Sequence, residues 1–313
     1  MQLADVTVPA RGAYVELEEL IALRFPARQL HLRRRTRALS VLAGPNKSNF
    51  RGRGIDFEEV RSYQPGDDIR SIDWRVTART GSAHTKLFRE ERERPLLVAV
   101  DQRSGMFFGS RYCFKSVLAA RLASLVAWSA LDGGDRVGGL VFNGVEHREI
   151  RPRRSRKTVL ALLSHVAEFN NALPLAAAGS GSGFAEILAN LRRIVRPGSS
   201  LFIVSDFRGA GEEHAREHLF QLAQHSEITA IACNDPLEAE LPRAGRYAVT
   251  DGNRRSELNT ADSALRTAYQ QRALEQRELL STDLRKLGIP LLQAATDSAP
   301  FSLLQQFYGD ARR

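Results

Sequence analysis

From Pro95 onward the chain alternates between short apolar runs and longer stretches with helical spacing. PLLVAV (95–100), DRVGGLVF (135–142), SLFIVSDF (200–207) and EITAIAC (227–233) have the length and apolar content of buried strands. Residues 112–131, 156–168, 184–195, 212–225 and 261–287 have the length and periodicity of helices. A further strand is expected over Val145 to Ile150, a short last one in IPLLQA (289–294), and a last helix over 300–308. Gly288 and Pro290 stop the long helix. Strands that alternate with helices predict a doubly wound, mostly parallel, Rossmann-like α/β sheet. No internal repeat competes with that reading.

The first 94 residues have a different texture. Residues 14–35 read as a helix with the stripe Leu17, Leu20, Ile21 and Leu23, broken or kinked at Pro26. Residues 44–94 are charged and turn-rich, with short β-like pieces such as Thr85 to Phe88. Two regions are therefore expected. One is a helical and turn-rich β extension over 1–94, and the other an α/β domain over 95–313. Within the second, PLAAAGSGSG (174–183) reads as a flexible connection.

Composition narrows the classes. A chain of 313 residues with 43% hydrophobic and 26% charged content can bury a sizeable core. It has no apolar run long enough to span a bilayer. The N-terminus lacks a basic and apolar leader, so no signal peptide is expected. Two cysteines, Cys113 and Cys233, are too few for a disulfide framework and point to buried thiols in a reduced cytoplasm. The net charge is +9, with clusters at Arg33, Arg34, Arg35 and Arg37 and at Arg151, Arg153, Arg154, Arg156 and Lys157. Such clusters suit nucleic acid, anionic lipid or an acidic protein. Aromatics do not interleave with them as stacking platforms would, so nucleic acid is not expected.

Asp101 and Asp206 each end an apolar strand. Parallel strands bring their carboxyl ends to one edge, so both carboxylates are expected above the sheet. Ser182 precedes a helix whose N-terminus could face the same crevice. Two carboxylates and a hydroxyl are hard oxygen ligands suited to Mg²⁺ or Mn²⁺.

The run Gly52 to Trp74, GRGIDFEEVRSYQPGDDIRSIDW, with the following ARTGSAHTKLFREERERP, resembles the bacterial domain of unknown function 58 family. The resemblance covers about residues 40–300, and PGDDIRSIDW is its most specific part. It implies a von Willebrand factor A-like domain and a MoxR-type AAA+ ATPase as partner, with other A-domain or membrane proteins of the same operon as further candidates. It implies a cytoplasmic protein that could lie peripherally on the inner membrane. The A-domain metal site uses Asp-x-Ser-x-Ser, a distant Thr and a distant Asp. Carried onto this chain, Asp101 matches the first aspartate, Ser182 the threonine and Asp206 the last aspartate. The two hydroxyl positions are instead Arg103 and Gly105. Arg103 could neutralise both carboxylates through charge-assisted hydrogen bonds. A degenerate, metal-free site and no cofactor are therefore expected, with a working Mg²⁺ or Mn²⁺ site as the alternative.

Asp67, Asp68, Arg70, Asp73 and Trp74 are expected to form a structural knot or a partner-binding surface, with an Asx-type turn after Pro65-Gly66 and Trp74 as a buried anchor. Gly109 to Ser116 nearly matches a phosphate-binding loop, but Phe114 stands where Gly is required, so no nucleotide hydrolysis is expected. His214, Glu217 and His218 match an inverted zinc-peptidase pattern, which leaves a zinc hydrolase as a distant alternative. The leading expectation is a non-enzymatic interaction module with a chaperone-like or assembly role.

Overall fold

The computed structural model describes residues 7–32, 56–64, 72–89, 95–172, 183–250 and 255–309. In chain order its elements begin with helices α1 (Leu17–Ala22) and α2 (Arg24–Ala27), strand β1 (Asp56–Ser62), helix α3 (Trp74–Thr80) and strand β2 (His84–Arg89). Then come β3 (Pro95–Asp101), α4 (Lys115–Asp132), β4 (Arg136–Phe142), β5 (His147–Arg153), α5 (Arg156–Ala172), α6 (Phe184–Ile194) and β6 (Ser200–Ser205). The chain continues through α7 (Glu213–His225), β7 (Glu227–Asn234), α8 (Pro236–Ala239), β8 (Arg246–Thr250) and β9 (Arg255–Asn259). It ends with α9 (Ser263–Lys286), β10 (Leu291–Ala295) and α10 (Pro300–Tyr308).

The apolar runs assemble into one six-stranded sheet with the order β10-β7-β6-β3-β4-β5. Every neighbouring pair is parallel except β4 with the edge strand β5. The expected doubly wound α/β fold is therefore present. Side chains of a strand alternate between faces, and β3 shows it. Leu96, Val98 and Val100 join the core under α4, α5 and the N-terminal helices, whereas Leu97 and Ala99 join the core under α6 and α7. Both faces are covered, so these strands read as unbroken apolar runs.

Helix α4 is buried on nearly all sides. Helices α1 and α2 cover the side away from the sheet. Ser124 Oγ and Trp128 Nε1 both donate to the Leu20 carbonyl, at 2.7 and 3.1 Å, and Ser129 Oγ donates to the Leu30 carbonyl at 2.8 Å. The segment expected as one kinked helix is two short ones, and Pro26 sits inside the second, where its missing N–H costs nothing. These contacts revise the division expected after residue 94. The chain separates into one unit of Met1–Ser48 with Pro95–Arg313, and another of Asn49–Arg94.

In the smaller unit β1 and β2 form an antiparallel hairpin with a register shift between Phe57 and Glu59. Between them lies α3. Asp73 caps it, accepting from the backbone N–H of Arg75 and Val76 at 3.0 and 3.2 Å, and Gly81 closes it with φ +73°. Asp73 is thus the N-cap of α3. The Trp74 ring beside it is 68% exposed. Asp67, Asp68, Arg70 and the first arginine cluster lie outside the described residues.

Both cysteines are buried and unbridged; burial pushes the Cys113 thiol up to about 12, against a lowering by Arg121. No helix among the described residues is long and apolar enough to cross a membrane. The hairpin β8–β9 has no counterpart in the sequence expectations.

The two tryptophans give a direct check of this packing. Trp128 is 1% exposed, so Trp128→Ala should destabilise by about 3–5 kcal/mol. Trp74→Ala should stay within about 0.5 kcal/mol of the parent. Urea unfolding curves of the two variants measure both, and a large loss in Trp74→Ala would show that this ring is packed in solution.

Candidate functional site

The chain leaves β3 and β6 in opposite directions, toward β4 and β5 on one side and β7 and β10 on the other. That is the topological switch point of a doubly wound sheet, where the loops after the strands splay and leave a crevice. Asp101 is the last residue of β3, and Asp206 follows β6 directly. The two expected carboxylates are thus brought to one place.

Asp101 is fully buried. Its Oδ1 accepts the Arg103 backbone N–H at 2.9 Å, and its Oδ2 accepts Ser205 Oγ at 2.6 Å and Arg103 Nη2 at 2.7 Å. Arg103 Nη2 is also 3.6 Å from Asp206 Oδ1, and its Nη1 donates to the Arg208 carbonyl at 3.2 Å. The guanidinium lies 5.1 Å from the Phe184 ring centroid and 5.9 Å from that of Phe142. Burial works against its charge, but Asp101, Asp206 and Glu212 outweigh burial and raise its pKa.

Asp206 has a second cation. Lys115, the first residue of α4, is completely buried, and its Nζ donates to Asp206 Oδ2 at 3.0 Å and Glu238 Oε1 at 2.7 Å. Arg208 closes the group from the solvent side, with Nη2 2.9 Å from Glu238 Oε1 and Nε 3.4 Å from Asp206 Oδ2. Glu238 is held by α8, where it and Asp235 form a capping box. Asp235 in turn accepts the Ser110 backbone N–H at 2.8 Å and Thr296 Oγ1 at 2.5 Å. Three carboxylates (Asp101, Asp206, Glu238) therefore face three cations (Arg103, Lys115, Arg208) in one network.

Of the expected site residues, Asp101, Arg103 and Asp206 converge. Ser182 lies outside the described residues. The hydroxyl that reaches Asp101 is that of Ser205. Gly105, at the position of the second hydroxyl, is pressed against the site: a Cβ there would lie 3.2 Å from Asp206 Oδ2. Sequence reasoning missed Lys115, Ser205, Arg208 and Glu238. One signal was present for Lys115, which stands at the lysine position of the imperfect phosphate-loop pattern. Its ammonium is committed to carboxylates, and Gly109 is required because a Cβ there would collide with the Cys113 carbonyl of the same loop.

The zinc-peptidase pattern does not assemble. His214 is 82% exposed at its side chain and pairs with Glu217 at 3.5 Å, while His218 Nδ1 lies 3.1 Å from Arg192 Nη1. No third ligand joins them among the described residues.

Burial pushes the Asp206 carboxyl up, but Lys115, the Arg208 backbone N–H and Arg103 together hold it below its ordinary value. A depressed folded-state pKa contributes stability that is complete above the unfolded value of about 3.9 and is lost as pH falls through the folded value. Stability should therefore decline below about pH 4. Lys115→Met should lower stability at neutral pH by about 3 kcal/mol and, by letting the Asp206 value rise toward or past the unfolded one, shrink the loss of stability on acidification. Urea melts across the acid range check both, and an unchanged acid profile in the variant would disprove the coupling.

Comparison with known proteins gives the family of the chain and leaves its activity open. Across 287 residues the chain is 31% identical to "Uncharacterized protein Rv1480" of Mycobacterium tuberculosis (strain ATCC 25618 / H37Rv), covering 91% of this chain and 89% of that protein. It is similar to the same degree to "Uncharacterized protein Mb1516" of Mycobacterium bovis. Among solved structures, an aerotolerance-related membrane protein of Bacteroides fragilis is 15% identical, with a TM-score of 0.41 over 68% of this chain and 96% of that one. A von Willebrand factor type A structure from Catenulispora acidiphila is 16% identical, with a TM-score of 0.32 over 48% of this chain and 35% of that one. Structural likenesses this distant carry no argument about ligands. Residues 59–279 match the family described as "Protein of unknown function DUF58", and the chain belongs to that family.

Proposed function

We propose that this chain is a protein-interaction module without chemistry of its own. It works in the cytoplasm beside a MoxR-type AAA+ ATPase, in a chaperone-like or assembly role, and presents the C-terminal edge of its sheet to a partner. The observation that carries this reading is the origin of the positive charge at Asp101 and Asp206: the chain supplies it from Arg103 and Lys115. The ATPase as partner rests on the family resemblance.

The donor set does not fit a divalent ion. Mg²⁺ asks for about six oxygens in near-octahedral order. Here Asp101 Oδ2 is held by Arg103 and Ser205, and Asp206 Oδ2 by Lys115. Positions 103 and 105 offer a guanidinium and a glycine in place of two hydroxyls. A metal entering the crevice would have to displace Arg103 from Asp101 and Lys115 from Asp206.

The rim of the crevice supports a protein contact. The loop that carries Arg103 exposes Phe108 and Tyr112, and the N-terminal segment lies along it through Gly12 N–H to the Tyr112 carbonyl at 2.9 Å and Phe114 N–H to the Gly12 carbonyl at 3.1 Å. Tyr14, also exposed, packs edge-on against Phe107 at 5.6 Å. Exposed aromatic side chains on a rigid base are the usual anchors of protein interfaces.

Calorimetry with a MoxR-type ATPase, in each nucleotide state, tests the reading. The parent should bind, and the double change Phe108→Ala with Tyr112→Ala should weaken binding at least tenfold, a loss of about 1.4 kcal/mol or more. Absence of binding in every nucleotide state would overturn it. Mg²⁺ or Mn²⁺ should leave the melting temperature unchanged. A true site would add about 4 kcal/mol at a thousandfold excess over its dissociation constant, and a saturable rise abolished by Asp206→Asn would show that the site takes metal.

A further inference from the structure

The edge strand β5 and the start of α5 carry a cationic surface that takes no part in the carboxylate network. Arg151 and Arg153 on β5, Arg154 after it, and Arg156 and Lys157 in the first turn of α5 are all exposed, as is Arg136 at the start of β4. The acids of the same hairpin are Glu146, which pairs with Arg148 at 2.8 Å, and Glu149.

Fold stability does not explain this placement. The first turn of α5 holds two cations and no acid, although the positive end of a helix favours the reverse. Such a turn is relieved by an anion from outside. The surface is also poorly made for several partners. Pro152 lies in the irregular stretch of β5 where the register with β4 shifts, and it removes a backbone donor from the sheet edge. Strand addition by a peptide is thereby disfavoured. Between positions 145 and 157 there is no Phe, Tyr or Trp, and His147 lies at the far end of β5 from the cations. The exposed Val145 lies in the turn at the other end of this hairpin, where Phe142 pairs with His147, whereas the cations gather where Val137 pairs with Arg153.

We infer that this face docks on an anionic lipid bilayer. A charged bilayer asks for no groove, matched strand or stacking platform. It asks only for several cations close to one surface. The inference does not depend on the ATPase reading, since its residues lie on the sheet edge and not at the crevice.

Flotation of the full chain with phosphatidylcholine vesicles, with and without added phosphatidylglycerol, is the test. The protein should bind only the anionic vesicles, and less as salt rises, because exposed charges are screened over about 8 Å at physiological ionic strength. Each cation near the surface contributes roughly fivefold, so Arg151→Glu, Arg153→Glu, Arg154→Glu and Arg156→Glu together, which remove four cations and add four acids, should weaken binding by well over several hundredfold. The corresponding four Gln substitutions, which reverse no charge, should weaken it less and serve if the Glu variant fails to fold. The pair Arg192→Glu and Arg193→Glu, exposed on α6 in the other helical layer, should leave binding nearly unchanged. Three results would overturn the inference: no preference for anionic vesicles, equal loss in the α6 variant, or tighter binding to duplex DNA or an acidic polypeptide through the same four arginines.

Discussion

A helix buried on every side needs a cover on every side, and α4 organises the larger unit around that requirement. Its apolar residues face the sheet below and the N-terminal helices and α10 above. Two hydroxyls and an indole on α4 reach back to the carbonyls of Leu20 and Leu30, where the short helices leave acceptors unsatisfied. The first described residues of the chain therefore belong to the sheet unit, although some sixty residues separate them from β3 in sequence. The same helix begins with Lys115. Burying the helix also buries that ammonium, and a buried ammonium needs carboxylates. Asp206 and Glu238 supply them.

The carboxylate crevice is thus coupled to the core. Lys115 ties the helix layer to the loop after β6 and to α8, and Arg103 ties β3 to the same loop. A buried ion pair is weak evidence for stability, because desolvation offsets much of the attraction. Its geometric effect is firmer, since each partner is costly to leave alone. The loops at the switch point are held in register by charge, with Phe184 and Phe142 beside the guanidinium. Such an arrangement can present a fixed shape to a partner without binding an ion first. The exposed aromatic residues on the loop after β3 rest on that fixed base.

Most of the sheet was legible because its central strands β3, β4, β6 and β7 are apolar on both faces. SLFIVS, EITAIAC and PLLVAV admit few other readings, and Gly288, with φ +70°, ends the long helix where expected. The hairpin β8–β9 was not legible. Its strands are five residues long and mix charged with apolar positions, so no period emerges. The exposure of Trp74 was not legible either, because Asp73 as a cap fixes only the backbone at the start of α3.

At the site, the sequence alone determined that two aspartates end two parallel strands, and that an arginine and a glycine replace the hydroxyls of the resembled motif. Those are statements about strand ends and single positions, which local pattern specifies. Only the tertiary structure decided what balances the charge. Lys115 and Glu238 stand 123 residues apart and Lys115 and Asp206 91 residues apart, and no local pattern links them. They meet because the sheet places β6 beside β3 while α4 crosses beneath, and a buried ammonium has nowhere else to go.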